Sequence, residues 1–304
     1  GGVVTRILDR FGSDLAALRG DALADAIRAA EGRTILAEVV AGAPPLLHGT
    51  SNAELVCGFG ADLVCLNLVD PSDADRVLMT GLEAVDPPPI GFQGLSRLLG
   101  RPVGLNLEPD VDAVPEPLRA SASRARAAAE GDAAFVIVTA NPGRGATGED
   151  RAAAVSTVRE AAPHLLCLAG KMHRAGAEEP LGPELVESLV AAGAHGVLVP
   201  LPGTAPGLSE ETAAAMVQVV RSRGGLAIGT IGTSQEGSDE TTLRSLALMA
   251  KRIGVDVHHI GDAGFTGIAH PENVYAYAVA VRGVRHTWNR MARNVRATWK
   301  EATT

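Results

Sequence analysis

One alternation runs the length of the chain and fixes most of what it can become. A short aliphatic run gives way to a Gly, Pro or Asn loop, then to a stretch with helical period, and the cycle returns. The apolar runs are 34–40, 63–69, 102–108, 135–141, 165–171, 196–203, 226–233 and 257–262, eight in all. Helical stretches fall at 51–59, 92–100, 116–130, 148–162, 183–193, 209–224, 239–254 and 271–283. Asp239 and Glu240 load one first turn and Gly254 closes it, while Pro183 and Pro271 take first helical positions.

Strands that are apolar on both faces belong in a parallel sheet covered by helices. Eight consecutive strand–helix units favour closure, so the expected fold class is α/β, a single (β/α)8 TIM barrel. An open dinucleotide-binding sheet would carry a GxGxxG turn after its first strand, and residues 41–49 have none. Residues 13–30 read as an extra N-terminal helix, 34–283 as the barrel and 284–304 as a C-terminal helical extension, all one domain over 1–304. The basic tail from Arg282 to Lys300 holds both tryptophans, Trp288 and Trp299. It is expected to pack on the barrel floor or on a second copy, making the chain a homo-oligomer.

Composition narrows the function classes. Hydrophobic residues make up 46% but aromatics only 3%, so the core is aliphatic, as barrel layers are. A net charge of −8 excludes the basic face that a nucleic-acid partner needs. No apolar run is long enough for a membrane span, and the charges from Arg6 to Arg10 do not fit a secretory leader. Three cysteines, Cys57, Cys65 and Cys167, form no CxxC pair and read as reduced core thiols, so the expected location is cytoplasmic.

Barrel enzymes place their chemistry at the C-terminal ends of the strands. Polar residues gather there in this sequence: Glu38, Asn67, Asn106 with Glu108, Thr139 with Asn141, Lys171, Thr230, then His258, His259 and Asp262. Only the sixth strand stays apolar. A spacing of two puts Asn106 with Glu108, and Thr139 with Asn141, on one face each. Helix capping explains any single member of this ring, but not the whole of it.

Of 27 Lys and Arg residues, only Lys171, Lys251 and Lys300 are lysines. Lys171 ends an apolar strand, where an amine pointing into the mouth can attack a carbonyl, act as a base or pair with a carboxylate. His173 adds an acid–base group, and Glu38, Glu108, Asp262 and His259 complete the catalytic candidates. The loops with Gly229, Thr230, Gly232, Thr233 and Ser234, and with Gly261 and Gly264, suit a phosphate. Asn67, Asn106 and Asn141 are the other substrate-binding candidates. No zinc spacing is present and no cofactor is required by these residues, although Glu38, Glu108 and Asp262 could hold a divalent Mg ion.

Four segments carry a resemblance: Ile35-Leu36-Ala37-Glu38-Val39-Val40, Gly104-Leu105-Asn106-Leu107-Glu108-Pro109, Ala169-Gly170-Lys171-Met172-His173 and His258-His259-Ile260-Gly261-Asp262-Ala263-Gly264. Across nearly the whole chain they resemble a bacterial TIM-barrel family found near sugar phosphotransferase genes and sometimes mislabelled haloacid dehalogenase-like. The DxD start of a haloacid dehalogenase is missing here. The resemblance implies a small phosphorylated, sugar-like ligand and names no reaction. A fainter similarity links the chain to phosphoenolpyruvate mutase and isocitrate lyase barrels, without their Lys-Lys-Cys-Gly-His motif. Three functions are therefore expected in turn: a lyase or aldolase using Lys171, a phosphosugar isomerase or epimerase using a carboxylate pair, and a non-catalytic metabolite-sensing or assembly barrel.

Overall fold

Eight strands pair edge to edge in chain order, β1 with β2 through to β8, and β8 returns to β1. Every pairing is parallel, so the described residues form the closed (β/α)8 barrel that the alternation predicts. The computed structural model describes residues 2–73, 75–173 and 180–294. The strands are β1 Thr34–Val40, β2 Leu63–Asn67, β3 Val103–Leu107, β4 Phe135–Val138, β5 Leu166–Gly170, β6 Gly196–Pro200, β7 Leu226–Ile231 and β8 Val257–Ile260. The helices are α1 Gly12–Ala16, α2 Gly20–Arg28, α3 Asn52–Gly58, α4 Gly91–Leu99, α5 Ala122–Glu130, α6 Gly148–Ala161, α7 Pro183–Ala191, α8 Glu210–Ser222, α9 Glu240–Ile253 and α10 Pro271–Ala292.

Two cores follow from the two-residue period of the strands. Val64, Leu66, Val136, Val138, Cys167 and Ala169 face the helical layer. Leu36, Cys65, Ile137, Leu168, Leu198 and Ile228 face inward and merge with Ile7, Leu15, Leu23 and Ile27 of the N-terminal segment. That segment therefore plugs one end of the barrel with apolar side chains. The polar strand ends are left to line the other.

Two boundaries differ from the sequence expectation. The N-terminal helix is two helices, because Gly20 takes a left-handed φ of 50° between them. The helix expected from 116 starts at Ala122, behind the Ser121 cap. Pro115 and Pro117 leave only a short 3-10 turn upstream. At the other end, the helix expected at 271–283 does break at Gly283, whose φ of 75° is non-helical, and the expected helical extension follows it within α10.

The break brings the extension onto the barrel floor. Asp62, buried at the start of β2, accepts hydrogen bonds from Ile35 N at 2.7 Å, Arg282 Nη1 at 2.6 Å and Arg290 Nε at 2.6 Å. Arg290 also donates to Ile7 O and Arg10 O, tying the extension to the N-terminal segment. Trp288 stays exposed, its indole N–H donating to the Tyr275 hydroxyl, while Trp299 and Lys300 lie outside the described residues. No helix among the described residues is long and apolar enough to cross a membrane.

Candidate active site

Strand alternation decides which side chains reach the mouth. Glu38, Asn67 and Asn106 stand on inward registers of β1, β2 and β3, and Thr139 and Asn141 continue that face beyond β4. With Gly232, Gly261 and Asp262 from the last two strands, they enclose a cavity of about 80 Å³. Met172 and His173 form its β5 side. A larger open groove of about 610 Å³ lies between α1 and α4, at the plugged end, where Arg19 is committed to Asp132. The acid–base groups are at the mouth, so the smaller cavity is the candidate site.

Asn67 is the hub of the cavity floor. Its Nδ2 donates to Asp262 Oδ2 at 2.9 Å and to Asn141 Oδ1 at 3.2 Å. Its Oδ1 accepts from Leu68 N at 3.0 Å and from Asn106 and Asn141 Nδ2 at 3.3 Å each. A backbone N–H can only donate, so the Leu68 contact fixes the orientation of the amide. Leu68 holds a left-handed φ of 58° to make it, a strained conformation for a leucine at the end of a strand.

Two carboxyl groups share this floor in different environments. Burial, reinforced by the neighbouring Asp262 charge, pushes Glu38 well above the usual carboxylate range. Cys65 Sγ contacts its Oε1 at 3.5 Å. Burial also raises Asp262, but the Asn67 N–H opposes the rise by hydrogen bonding to the ionised form. Below Glu38, His259 Nε2 stands 3.7 Å from Oε2, beyond hydrogen-bond reach. Burial pulls that imidazole down to about 4, so it is neutral at physiological pH. His173 on the wall is lowered too, again chiefly by burial.

Other expected site residues stand behind the cavity. Glu108 is buried, and its Oε1 accepts from Asn141 N at 2.8 Å and Arg144 Nε at 3.1 Å, fixing the loop after β4. Thr230 is buried on β7, with its hydroxyl directed at Val199 O. Thr233 Oγ1 donates to Thr204 O at 2.7 Å, and Ser234 takes a left-handed φ to open a 3-10 turn. His258 faces the helical layer, bonded to Tyr277 and Gly32.

Lys171 is buried just past the end of β5, between Gly170 and the cavity-lining Met172. Two glycine expectations need correction. Gly229 faces Leu201 and Val255 rather than the mouth. Gly264 is a packing glycine, since a Cβ there would stand 2.8 Å from Ala269 Cα and 3.0 Å from the Glu236 carbonyl carbon.

Glu236, which the sequence reading passed over, explains that crowding. It is fully buried between the two glycine-rich loops, and its Oε2 accepts from Ala263 N at 2.9 Å. A Cβ on Gly261 would lie 2.7 Å from the same oxygen. A carboxylate of the chain itself therefore occupies the space in which a phosphate was expected. The only hint in the sequence is an acid two residues after the Gly-rich segment that ends at Ser234. Among the described residues, no three His, Cys, Asp or Glu side chains come together in a way that could hold a metal ion. Arg144 holds Glu108 away from Glu38 and Asp262.

Residues 8–297 match the family described as a domain of unknown function, DUF7916. The chain belongs to that family. In fold, this DUF7916 chain is similar to a candidate lyase/mutase from Burkholderia cenocepacia J2315, at 20% identity, with 92% of each chain covered and a TM-score of 0.49. It is also similar to a candidate fructose-1,6-biphosphate aldolase from Coccidioides immitis, at 13% identity, covering 92% of this chain and 99% of that one with a TM-score of 0.50. At such identities the likeness extends to the barrel alone. No protein of curated function matches the sequence.

Proposed function

We propose that this DUF7916 barrel is an enzyme of the lyase or isomerase type that moves a proton on the carbon beside a carbonyl of a small sugar-like substrate. The observation that carries the reading is the pair Glu38 and Asp262, one buried and one half-buried carboxyl group in one cavity with environments that separate their roles. Glu38 is the proton-transfer residue. Its raised proton affinity brings it toward the range where a carboxyl group gives and takes protons efficiently. Asp262, hydrogen bonded by Asn67, is the ionised carboxylate that binds substrate.

In the ionised form Glu38 takes the proton from the carbon, leaving an enediolate. It then returns that proton to the neighbouring carbon, while the hydroxyl proton passes to the former carbonyl oxygen, so the group ends as it began and the product is the isomer. In aldol cleavage the enediolate comes from C–C scission instead, and protonated Glu38 supplies the proton that its carbon takes up. The reading routes no Schiff base through Lys171, since the groups lining the cavity beyond β5 are Met172 and His173. Nor does the reading include a phosphate seat between the glycine-rich loops, since Glu236 lies there.

Deuterium wash-in tests the reading. Free and phosphorylated aldoses, ketoses and 2-oxo acids are incubated with the protein in D2O and followed by proton NMR. One substrate class is expected to exchange beside its carbonyl, with Glu38→Gln slowing exchange by about 10²- to 10⁴-fold and Lys171→Arg retaining it. A borohydride adduct on Lys171, with exchange untouched by Glu38→Gln, would overturn it.

A further inference from the structure

The Asn67 and Asn106 amides of the cavity floor have spent their donors on the floor itself, and one acceptor is left over. Both N–H groups of the Asn67 amide are taken, by Asp262 and Asn141. Both N–H groups of Asn106 are taken as well, by Asn67 Oδ1 and by the Thr139 carbonyl at 3.2 Å. A carbonyl can only accept, so the Thr139 contact fixes Nδ2 there and turns Oδ1 the other way. Asn106 is 3% exposed and lines the cavity, yet its Oδ1 has no partner among the described residues. A buried acceptor left unpaired costs about 1–3 kcal/mol, which a ligand donor would recover.

Charge points the same way. Glu38 is buried and Asp262 half-buried in the same cavity, and Glu236 is a third acidic group behind them. The charges acting on these carboxyls are one another's, with no lysine or arginine among them. Arg144 is spent on Glu108 instead. A metal ion does not answer this need, because the described residues bring no suitable ligand group together. The cavity of about 80 Å³ exceeds the ~10–15 Å³ that a single water needs, so it admits a small cationic group.

We propose that the floor binds a primary ammonium group of the substrate, held by Asp262 and Asn106 Oδ1 beside Glu38. This rests on the proposed function and names its substrate class: a carbonyl compound carrying an amine, as in an amino sugar or amino alcohol. The ammonium supplies the missing positive charge. By standing next to Glu38 it also favours the ionised carboxylate, so that the base forms when substrate arrives. A hydroxyl in the same place would satisfy Asn106 Oδ1 and leave the carboxyl pair uncompensated.

Ethanolamine and ethylene glycol, matched in size and differing by one charged group, are the probes. Each is titrated into the full chain while the side-chain amide resonances of Asn67 and Asn106 are followed by 15N NMR. Ethanolamine is expected to shift both resonances and to bind at least 10-fold more tightly than the glycol, a difference of about 1.4 kcal/mol. Asp262→Asn should weaken ethanolamine by 10-fold or more while leaving glycol unchanged. Equal affinity for the two probes, tighter glycol binding, or no shift with either overturns the proposal. So does ethanolamine binding that a folded Asp262→Asn retains. The contrast between probes in the wild-type protein stands without the variant. Turnover is not read, so a failed wash-in experiment and a failed titration remain distinguishable.

Discussion

Asn67 Nδ2 and Asp262 Oδ2 meet at 2.9 Å across the barrel mouth, joining the end of β2 to the loop after β8. Removing the amide leaves a half-buried carboxylate without its hydrogen bond, which costs about 1–3 kcal/mol. Asn67→Ala should lower the urea-unfolding free energy by that amount. Asn67→Asp should cost more, because it sets a second negative charge against Asp262. Urea midpoints for the two variants check the order.

The opposite end of the barrel depends on Asp62, where one carboxylate receives two guanidinium groups and a backbone N–H. Arg282 and Arg290 are buried there, so deleting either leaves the remaining charges uncompensated in a dry setting. Arg290→Ala is expected to destabilise the fold by about 3–5 kcal/mol. Arg6→Ala, which removes a partner of the exposed Asp9, should change stability by less than about 1 kcal/mol. Denaturant curves of the two variants give the comparison.

Strain at Leu68 predicts an inverted preference for side chains. Its left-handed backbone suits glycine and opposes β-branching. Leu68→Gly should therefore be tolerated, and Leu68→Val should lose more than about 1 kcal/mol. Thermal melting of the two proteins decides it.

The buried imidazoles set a limb of the acid stability profile. Burial lowers His258 and His259 from 6.5 in the unfolded chain to about 4. Between those values the unfolded chain binds protons that the folded one excludes. Stability from these groups is complete above pH 6.5 and falls as the pH drops toward 4, by on the order of 3 kcal/mol per histidine. Glu38 and Asp262, raised rather than lowered, contribute the opposite slope. Urea midpoints at several pH values for the wild type and for His259→Gln isolate the imidazole, because the carboxyl contribution is common to both. A smaller acid loss in the variant is expected.

The barrel was legible because its signal repeats. Each strand such as Leu63–Asn67 is apolar on both faces, and each helix such as α9 carries its own cap, so local patterns agree with the closed sheet. Glu38, Asn67, Asn106 and Asn141 were legible for the same reason, as polar tips on inward registers, and Asp262 reaches the cavity from the turn after β8. The direction of Lys171 was not legible, because it stands past the end of β5, where strand alternation no longer applies. The loop glycines were misread because a glycine that admits an anion and one that admits a neighbouring backbone look alike in sequence. Gly264 is the second kind. Asp62 and Glu236 depend on partners more than 25 residues away, and no local pattern announces either.

The protonation of Glu38 is the centre of the account, and carboxyl 13C NMR reads it directly. With glutamate labelled at its side-chain carboxyl and the Glu38 signal assigned by its loss in Glu38→Gln, a pH titration follows that one group. The account predicts a resonance that stays in the protonated position well after the exposed glutamates have ionised and that moves to the ionised position when ethanolamine is added. A Glu38 signal that titrates together with the exposed glutamates would contradict it.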